Sequence, residues 1–401
     1  MRKNKGNILT DDRQLGPLPV HRLKRVDKPT TLITEEWQSF DAREGAYGKA
    51  ERGEYGSAVK RELPRFVVKY PLADSLQNIL INIAKYKDCP VADNKAPIPD
   101  DPALLSRHIK RLGYFLKADM MGICELPKSA LYSYDRQGNP VDINYKYAIV
   151  IVTAKEYETE HASTGYDWSG DAISFQSYQR VSLIAQTMAE YIRKLGYPAL
   201  PQHPPSSAGR YQVTLPPLLL LAGIGELSRA GIILNPFLGL GYKASAVLTD
   251  LPLIPDRPID FKLQEFCRLC RVCAEECPSQ AISKGSKVIY NGYKTWKMDT
   301  QRCFSFCILN KRGAICNRCV KVCPWTRPAT WPHNMVRWSV QHSDAARRLA
   351  IRIDRLFGHA KAHEEDKWWF DLEDVDGVLR IPASSNTGDP ENTGKITELI
   401  H

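Results

Sequence analysis

FCRLCRVCAEECPSQAIS, residues 266–283, sets Cys267, Cys270, Cys273 and Cys277 at the spacing C-x2-C-x2-C-x3-C and follows them with Pro278. Bacterial-type ferredoxins carry this run: three close thiolates wrap one cubane, and the fourth cysteine crosses to a second cluster. A second run, GAICNRCVKVCPW at 313–325, supplies Cys316, Cys319 and Cys323 with Pro324 behind them, and Cys303 and Cys307 stand upstream. By the crossed rule one 4Fe-4S cluster takes Cys267, Cys270, Cys273 and Cys323. The other takes Cys277, Cys316, Cys319 and either Cys303 or Cys307. Structural zinc also accepts four cysteines, but as separated pairs and not as a triple run ending in Cys-Pro. Cys89 and Cys124 stand alone among apolar neighbours and read as ordinary buried thiols.

Around this segment the chain has the composition of a globular protein, 401 residues with 43% hydrophobic and 25% charged side chains. Its net charge of +10 could draw an anionic partner. No basic stripe interleaved with aromatics and no named nucleic-acid motif is present, so no nucleic-acid partner is expected. The start, MRKNKGNILTDDRQLG, lacks the apolar run of a secretory signal and the twin arginines of an export signal. The most apolar stretch, Leu215 to Leu240, is broken by Pro216, Pro217, Glu226, Arg229 and Pro236, which excludes a membrane span. A cytoplasmic location is expected, and in that reducing compartment crowded cysteines point to metal and not to disulfides.

Residues 1–60 are polar and glycine-rich and read as an extended N-terminal arm. From Phe66 the pattern turns globular: SLQNILINIAKY and ALLSRHIKRLGYFLKA have helical spacing, and YKYAIVIVTA reads as a buried strand. A helix from Tyr178 to Leu195 would place Val181, Ile184, Ala185, Met188 and Ile192 on one face. After the turn PQHPPSSAGR comes LAGIGELSRAGIILNP, whose glycines allow tight turns. SAVLTDLPLIPD then reads as a strand leaving this domain, with Pro252, Pro255 and Pro258 marking a linker.

At this point the chain resembles the corrinoid-dependent reductive dehalogenases and, more distantly, the epoxyqueuosine reductases. The resemblance runs from about Phe66 onward and rests on YIRKLGYPA, AGIGELSRAGIILNP, VLTDLPL, the first cysteine run and CVKVCPW, in that order. It implies an α+β protein: a nitroreductase-like α/β corrinoid-binding domain at 61–255, a two-cluster ferredoxin-like domain at 256–330, and a C-terminal segment, 331–401, packing on the core. It also implies a cobalamin cofactor beside two 4Fe-4S clusters. No D-x-H-x-x-G lower-ligand motif stands in the chain, which fits a family that holds its cobalt without a histidine below.

Two catalytic positions carry over by the same resemblance. Tyr178, opening its helix, would donate a proton to the carbon losing halogen, and Lys243 would be the cation stabilising the tyrosinate. On their own, Tyr178 is one of eighteen tyrosines and Lys243 a surface lysine. Gly223, Gly225 and Glu226 match the family's cofactor-contacting loop, while His333 is left unassigned. Respiratory members carry an export signal and a tryptophan where Cys307 stands. Their absence places the chain among the non-exported members and favours Cys303 as the last ligand. The implied substrate is an organohalide, aromatic by preference, and the implied electron donor a separate ferredoxin, flavodoxin or reductase. Two rivals remain: a tRNA-modifying epoxyqueuosine reductase, which the GELSR segment and Tyr178 disfavour, and a non-catalytic electron-transfer or corrinoid-reactivating protein.

Overall fold

The computed structural model describes residues 15–86, 88–163, 165–203, 211–310, 315–328, 330–358, 373–375 and 378–380. The first residues of the arm, most of the PQHPPSSAGR turn and the end of the C-terminal segment lie outside them. Four strands form one antiparallel sheet in the order Met120–Glu125, Tyr147–Ala154, Tyr242–Thr249, Ala199–Gln202. Ile149 sits opposite Ile123 on one side and Val247 on the other, and Thr153 sits opposite Lys243.

Both faces of this sheet are covered, which is why YAIVIVTA is apolar at every position and not only at alternate ones. Ile149, Ile151, Ile123 and Val247 pack against Val181, Ile184, Ala185, Met188 and Ile192 of the long helix. Ala148, Val150, Val152, Ala246 and Leu248 pack on the other face with Leu218 and Leu220 of the helix Leu215–Leu221. The strand expected to leave the domain is therefore an interior strand, bonded on both edges.

The long helix spans Ser169–Lys194, so Tyr178 lies within it and does not open it. Its first turns hid from a periodic reading because Ser169, Gly170, Asp171, Ala172, Ile173, Ser174 and Phe175 are all buried, leaving no polar stripe. These small and polar residues form a dock for the second cysteine run. The Ile315 amide donates to Asp171 Oδ1 at 2.7 Å, and Asn317 Nδ2 donates to the Gly170 carbonyl at 3.0 Å and to Ser174 Oγ at 3.2 Å. Close approach demands glycine here, since a Cβ on Gly170 would lie 2.0 Å from the Ile315 carbonyl oxygen.

The cysteine region has its own core, in which Phe261 and Phe266 meet Trp325 edge-on at centroid distances of 5.1 and 5.7 Å. Two helices, Trp331–His342 and Asp344–Leu356, close it. Arg337 Nη2 donates to the carbonyls of Phe237 and Trp325, and Arg327 pairs with Asp354 at 3.1 Å. The N-terminal arm departs from a wholly extended path: Ala46–Arg52 and Ser57–Glu62 are short helices that bury Ala50 and Val59 with Ile308. Further back the arm bridges Arg25 to Ile259 and Ile33 to Tyr293.

Gly170→Ala must push the 315–317 segment off the helix, at a cost of ~2 kcal/mol or more, typical of overpacked sites. The expected outcome is a lower melting temperature and reduced iron content, while Leu183→Ala, exposed on the same helix, leaves both unchanged. Equal iron in the two variants would sink this account of the dock.

Candidate functional site

The nine clustered thiols sort by mutual electrostatic reach. Cys267 feels Cys270 and Cys323, and Cys273 feels all three. Cys316 feels Cys319, Cys303 and Cys277, and Cys319 feels Cys303 and Cys277. These are the two crossed sets expected from the spacing. Cys303, on the helix Thr300–Leu309, is the thiol within reach of Cys316 and Cys319, while Cys307 lies one turn further on, buried and bonded to Cys303. The sets abut, because Cys273 also feels Cys319.

Burial is the main reason every ligand thiol whose shift is resolved is pushed up except Cys303, where the bond from Cys307 comes first and burial second. Cys270 and Cys319 both rise to about 12. Thiolates that repel one another in so buried a place need cations among them, so ionisation is tied to metal binding. Among the described residues no three His, Cys, Asp or Glu converge on a single ion. Cys273, Cys277, Cys303, Cys316 and Cys319 are half-buried. The chemistry and spacing of the donors thus fit cubane clusters better than zinc.

Arg229, from the GELSR segment, holds the first run from below. Its Nε donates to the carbonyls of Cys267 and Cys270 at 3.0 and 3.1 Å, and its Nη1 reaches the Ser283 carbonyl at 2.9 Å. Glu226 is engaged as well. One oxygen accepts from Thr30 Oγ1 and the other from the amides of Leu263, at 3.0 Å, and Phe261, at 3.3 Å, where the Cys267 helix begins. Burial raises this carboxyl to about 7. With both oxygens taken, any contact of this loop with a cofactor falls to its backbone. The Cβ directions of Gly223 and Gly225 are likewise filled by protein, by Arg25 and the Arg257 carbonyl in one case and the Leu234 carbonyl in the other.

Tyr178 and Lys243 come together: Lys243 Nζ lies 4.4 Å from the centre of the Tyr178 ring. The tyrosine projects from the long helix and the lysine from the strand beside Thr153. Both side chains are half-buried. Burial raises the Tyr178 hydroxyl above its ordinary value, opposed by the charge of Lys155. Lys243 sits over the ring face, and burial prevails at the hydroxyl. Lys243 itself is lowered by burial to about 8, with Glu160, Asp171 and Cys319 pulling the other way.

Lys155 and Glu160 were not singled out from the sequence. They form a fully buried pair, Nζ to Oε2 at 2.9 Å with 2% of each side chain exposed, and both act on Cys319. Glu160 Oε1 and Lys321 Nζ have no partner in the protein among the described residues. A corrinoid rim of amides offers donors and acceptors that could meet such an unpaired acceptor and an unpaired donor, so the residues present fit that cofactor. The lone thiols differ from one another: Cys124 is buried in its strand, as expected, whereas Cys89 is half-exposed and bonds the Tyr86 carbonyl.

These features define a class, a mixed helix-and-sheet protein carrying a C-terminal 4Fe-4S domain of ferredoxin type. The family model "4Fe-4S dicluster domain" matches residues 266–326. The chain is homologous to the reductive dehalogenases and has their fold. It is 28% identical over 315 residues to the tetrachloroethene reductive dehalogenase of Sulfurospirillum multivorans, covering 69% of this chain and 61% of that one. It is 36% identical over 229 residues to the enzyme of the same name from Desulfitobacterium hafniense, covering 54% and 39%. Among solved structures it superposes on a catabolic reductive dehalogenase with a TM-score of 0.86 at 37% identity, covering 92% of this chain and 53% of that one. The chain thus spans about half the length of the relatives it matches. No described helix is long and apolar enough to cross a membrane.

Removal of single thiols tests the sorting. After anaerobic iron–sulfide loading, Cys303→Ala is expected to fall from about eight irons per chain to about four, and Cys307→Ala to keep all of them. The reverse pattern would exchange the two cysteines.

Proposed function

We propose that this chain is the catalytic part of a corrinoid-dependent reductive dehalogenase, holding two 4Fe-4S clusters and a cobalamin. The observation that carries this reading is the Tyr178–Lys243 pair, half-buried and within electrostatic reach of Cys319, whose surroundings would form the void for the corrinoid. The reaction is R–X + 2 e⁻ + H⁺ → R–H + X⁻. The corrinoid would supply the reduced cobalt chemistry at the carbon–halogen bond, and the clusters the one-electron steps.

The chain's own residues take the remaining tasks. Cys267, Cys270, Cys273 and Cys323 would hold the outer cluster, and Cys277, Cys303, Cys316 and Cys319 the one nearer the void. Tyr178, kept protonated by burial, holds the proton at its hydroxyl and gives it to the carbon that loses halogen. The tyrosinate left behind is stabilised by Lys155, whose own charge Glu160 maintains. Lys243 fixes the ring from its face and adds a second cation. Glu160 Oε1 and Lys321 would meet the corrinoid rim, whereas the room left by Gly223 and Gly225 is taken by Arg25, the Arg257 carbonyl and the Leu234 carbonyl.

The substrate class is an organohalide. A halogenated phenol is favoured by the two lysines at the void, which suit an anionic ring substituent, and a related catabolic reductive dehalogenase has been solved in complex with 3-bromo-4-hydroxybenzoic acid.

Chain loaded with both cofactors should release halide from a bromophenol under a low-potential reductant. Tyr178→Phe should lower that rate by ~10²-fold or more, the usual worth of a positioned acid, while the corrinoid absorption spectrum persists. Unchanged turnover in Tyr178→Phe would remove this residue from the mechanism.

A pH dependence follows from Lys243. Its lowered value means that it is charged below about 8 and loses that charge as pH rises. Halide release should therefore decline above about 8, and Lys243→Arg should move the decline upward because a guanidinium stays charged. An alkaline limb identical in the two proteins would assign it to another group.

A further inference from the structure

A hollow of about 650 Å³ opens beside the first cysteine run, lined by Arg229, Arg268, Arg271, Lys287 and Lys294 around Trp296. One carboxylate, Glu265, faces these five cations across the hollow. Arg229 and Lys287 both lie over the Trp296 ring, at 4.6 and 4.4 Å from its centre. The charges are only partly spent. Lys287 bonds Gln264, Arg268 reaches Asp344 at 3.6 Å, and Arg271 and Lys294 are exposed with no ion pair among the described residues.

Two further observations point to a protein as occupant and not to a small anion. The hairpin that carries Lys294 leaves Val288, Ile289 and Tyr290 about half exposed at the rim, and Leu32 of the arm stands beside them. Cations ringed by accessible apolar side chains match the anatomy of a protein interface. The hollow also adjoins the outer cluster, since Arg229 spans from its wall to the carbonyls of Cys267 and Cys270, and Lys287 feels Cys267. The Tyr178–Lys243 pair lies toward the other thiol set, within electrostatic reach of Cys319.

We propose that this basic hollow and its apolar rim dock an acidic electron-carrier protein that feeds the outer cluster. The inference rests on the two-cluster reading and adds where the electron enters. At each encounter one electron leaves the carrier's reduced centre and enters the cluster held by Cys267, Cys270, Cys273 and Cys323. No bond forms or breaks, and two encounters supply one turnover. Charge complementarity of this kind speeds encounter and weakens with salt.

The test uses cluster-loaded full chain and two acidic probes, reduced flavodoxin and reduced bacterial ferredoxin, with titanium(III) citrate as a reductant that needs no dock. Arg271→Glu with Lys294→Glu should raise the Kd of at least one carrier by ~10-fold or more and flatten its salt dependence. Reduction by that carrier should slow in proportion, while iron content and reduction by titanium(III) citrate stay unchanged. Lys85→Glu with Lys194→Glu, a remote reversal of equal charge, should change neither. Equal weakening by both pairs, or no weakening by the first, or no binding of either carrier to the unaltered chain, overturns the docking site. Clusters that titanium(III) citrate cannot reduce would overturn the electron-transfer reading itself.

Discussion

The constraint on which the structure turns is the burial of thiols that must become thiolates. Cys267, Cys270 and Cys323 are nearly inaccessible, and their neighbours in each set are thiols of the same sign once ionised. Hydrophobic packing alone would keep them protonated. The fold places buried cations among them: Arg229 beneath the first run and Lys155, which acts on Cys319, with Lys321 lying between Cys319 and Cys323 in the chain. A buried ammonium without a partner, such as Lys321, would be costly in an ordinary core.

The same constraint explains the start of the long helix. Clusters sit in loops, and a loop cannot be fixed by side-chain packing alone when its side chains are spent on metal. Here the loop around Cys316 is fixed by its backbone and by Asn317, which bond to Gly170, Asp171 and Ser174. The helix then runs on to Tyr178 with no break. One rigid element therefore carries both the dock for the Cys316 loop and Tyr178, fixing their separation.

What was legible in the sequence follows from the kind of signal each part leaves. The cysteine runs were legible because metal ligation is written as spacing, and the 4Fe-4S dicluster family model matches residues 266–326, the segment that holds both runs. The sheet strand YAIVIVTA and the apolar face from Val181 to Ile192 were legible because burial leaves composition and period behind. The first turns of the helix left neither. Lys155 and Glu160 were invisible for another reason: a buried ion pair joining a strand end to the short helix Tyr157–Ala162 has the composition of any polar loop. Tyr178 and Lys243 were found through resemblance alone, since nothing in their local pattern distinguishes them.

The two lysines at the void divide the work in a way that resemblance did not suggest. Lys155 has a carboxylate at 2.9 Å and is the cation that acts on the Tyr178 hydroxyl. Lys243 has the aromatic face and only more distant anions, so burial takes it close to neutrality near the working pH. Burial lowers both lysines, and the carboxylate of Glu160 opposes that shift in each. Under the proposed reaction, Lys155 is the cation that acts on the Tyr178 hydroxyl and Lys243 the one held against its ring.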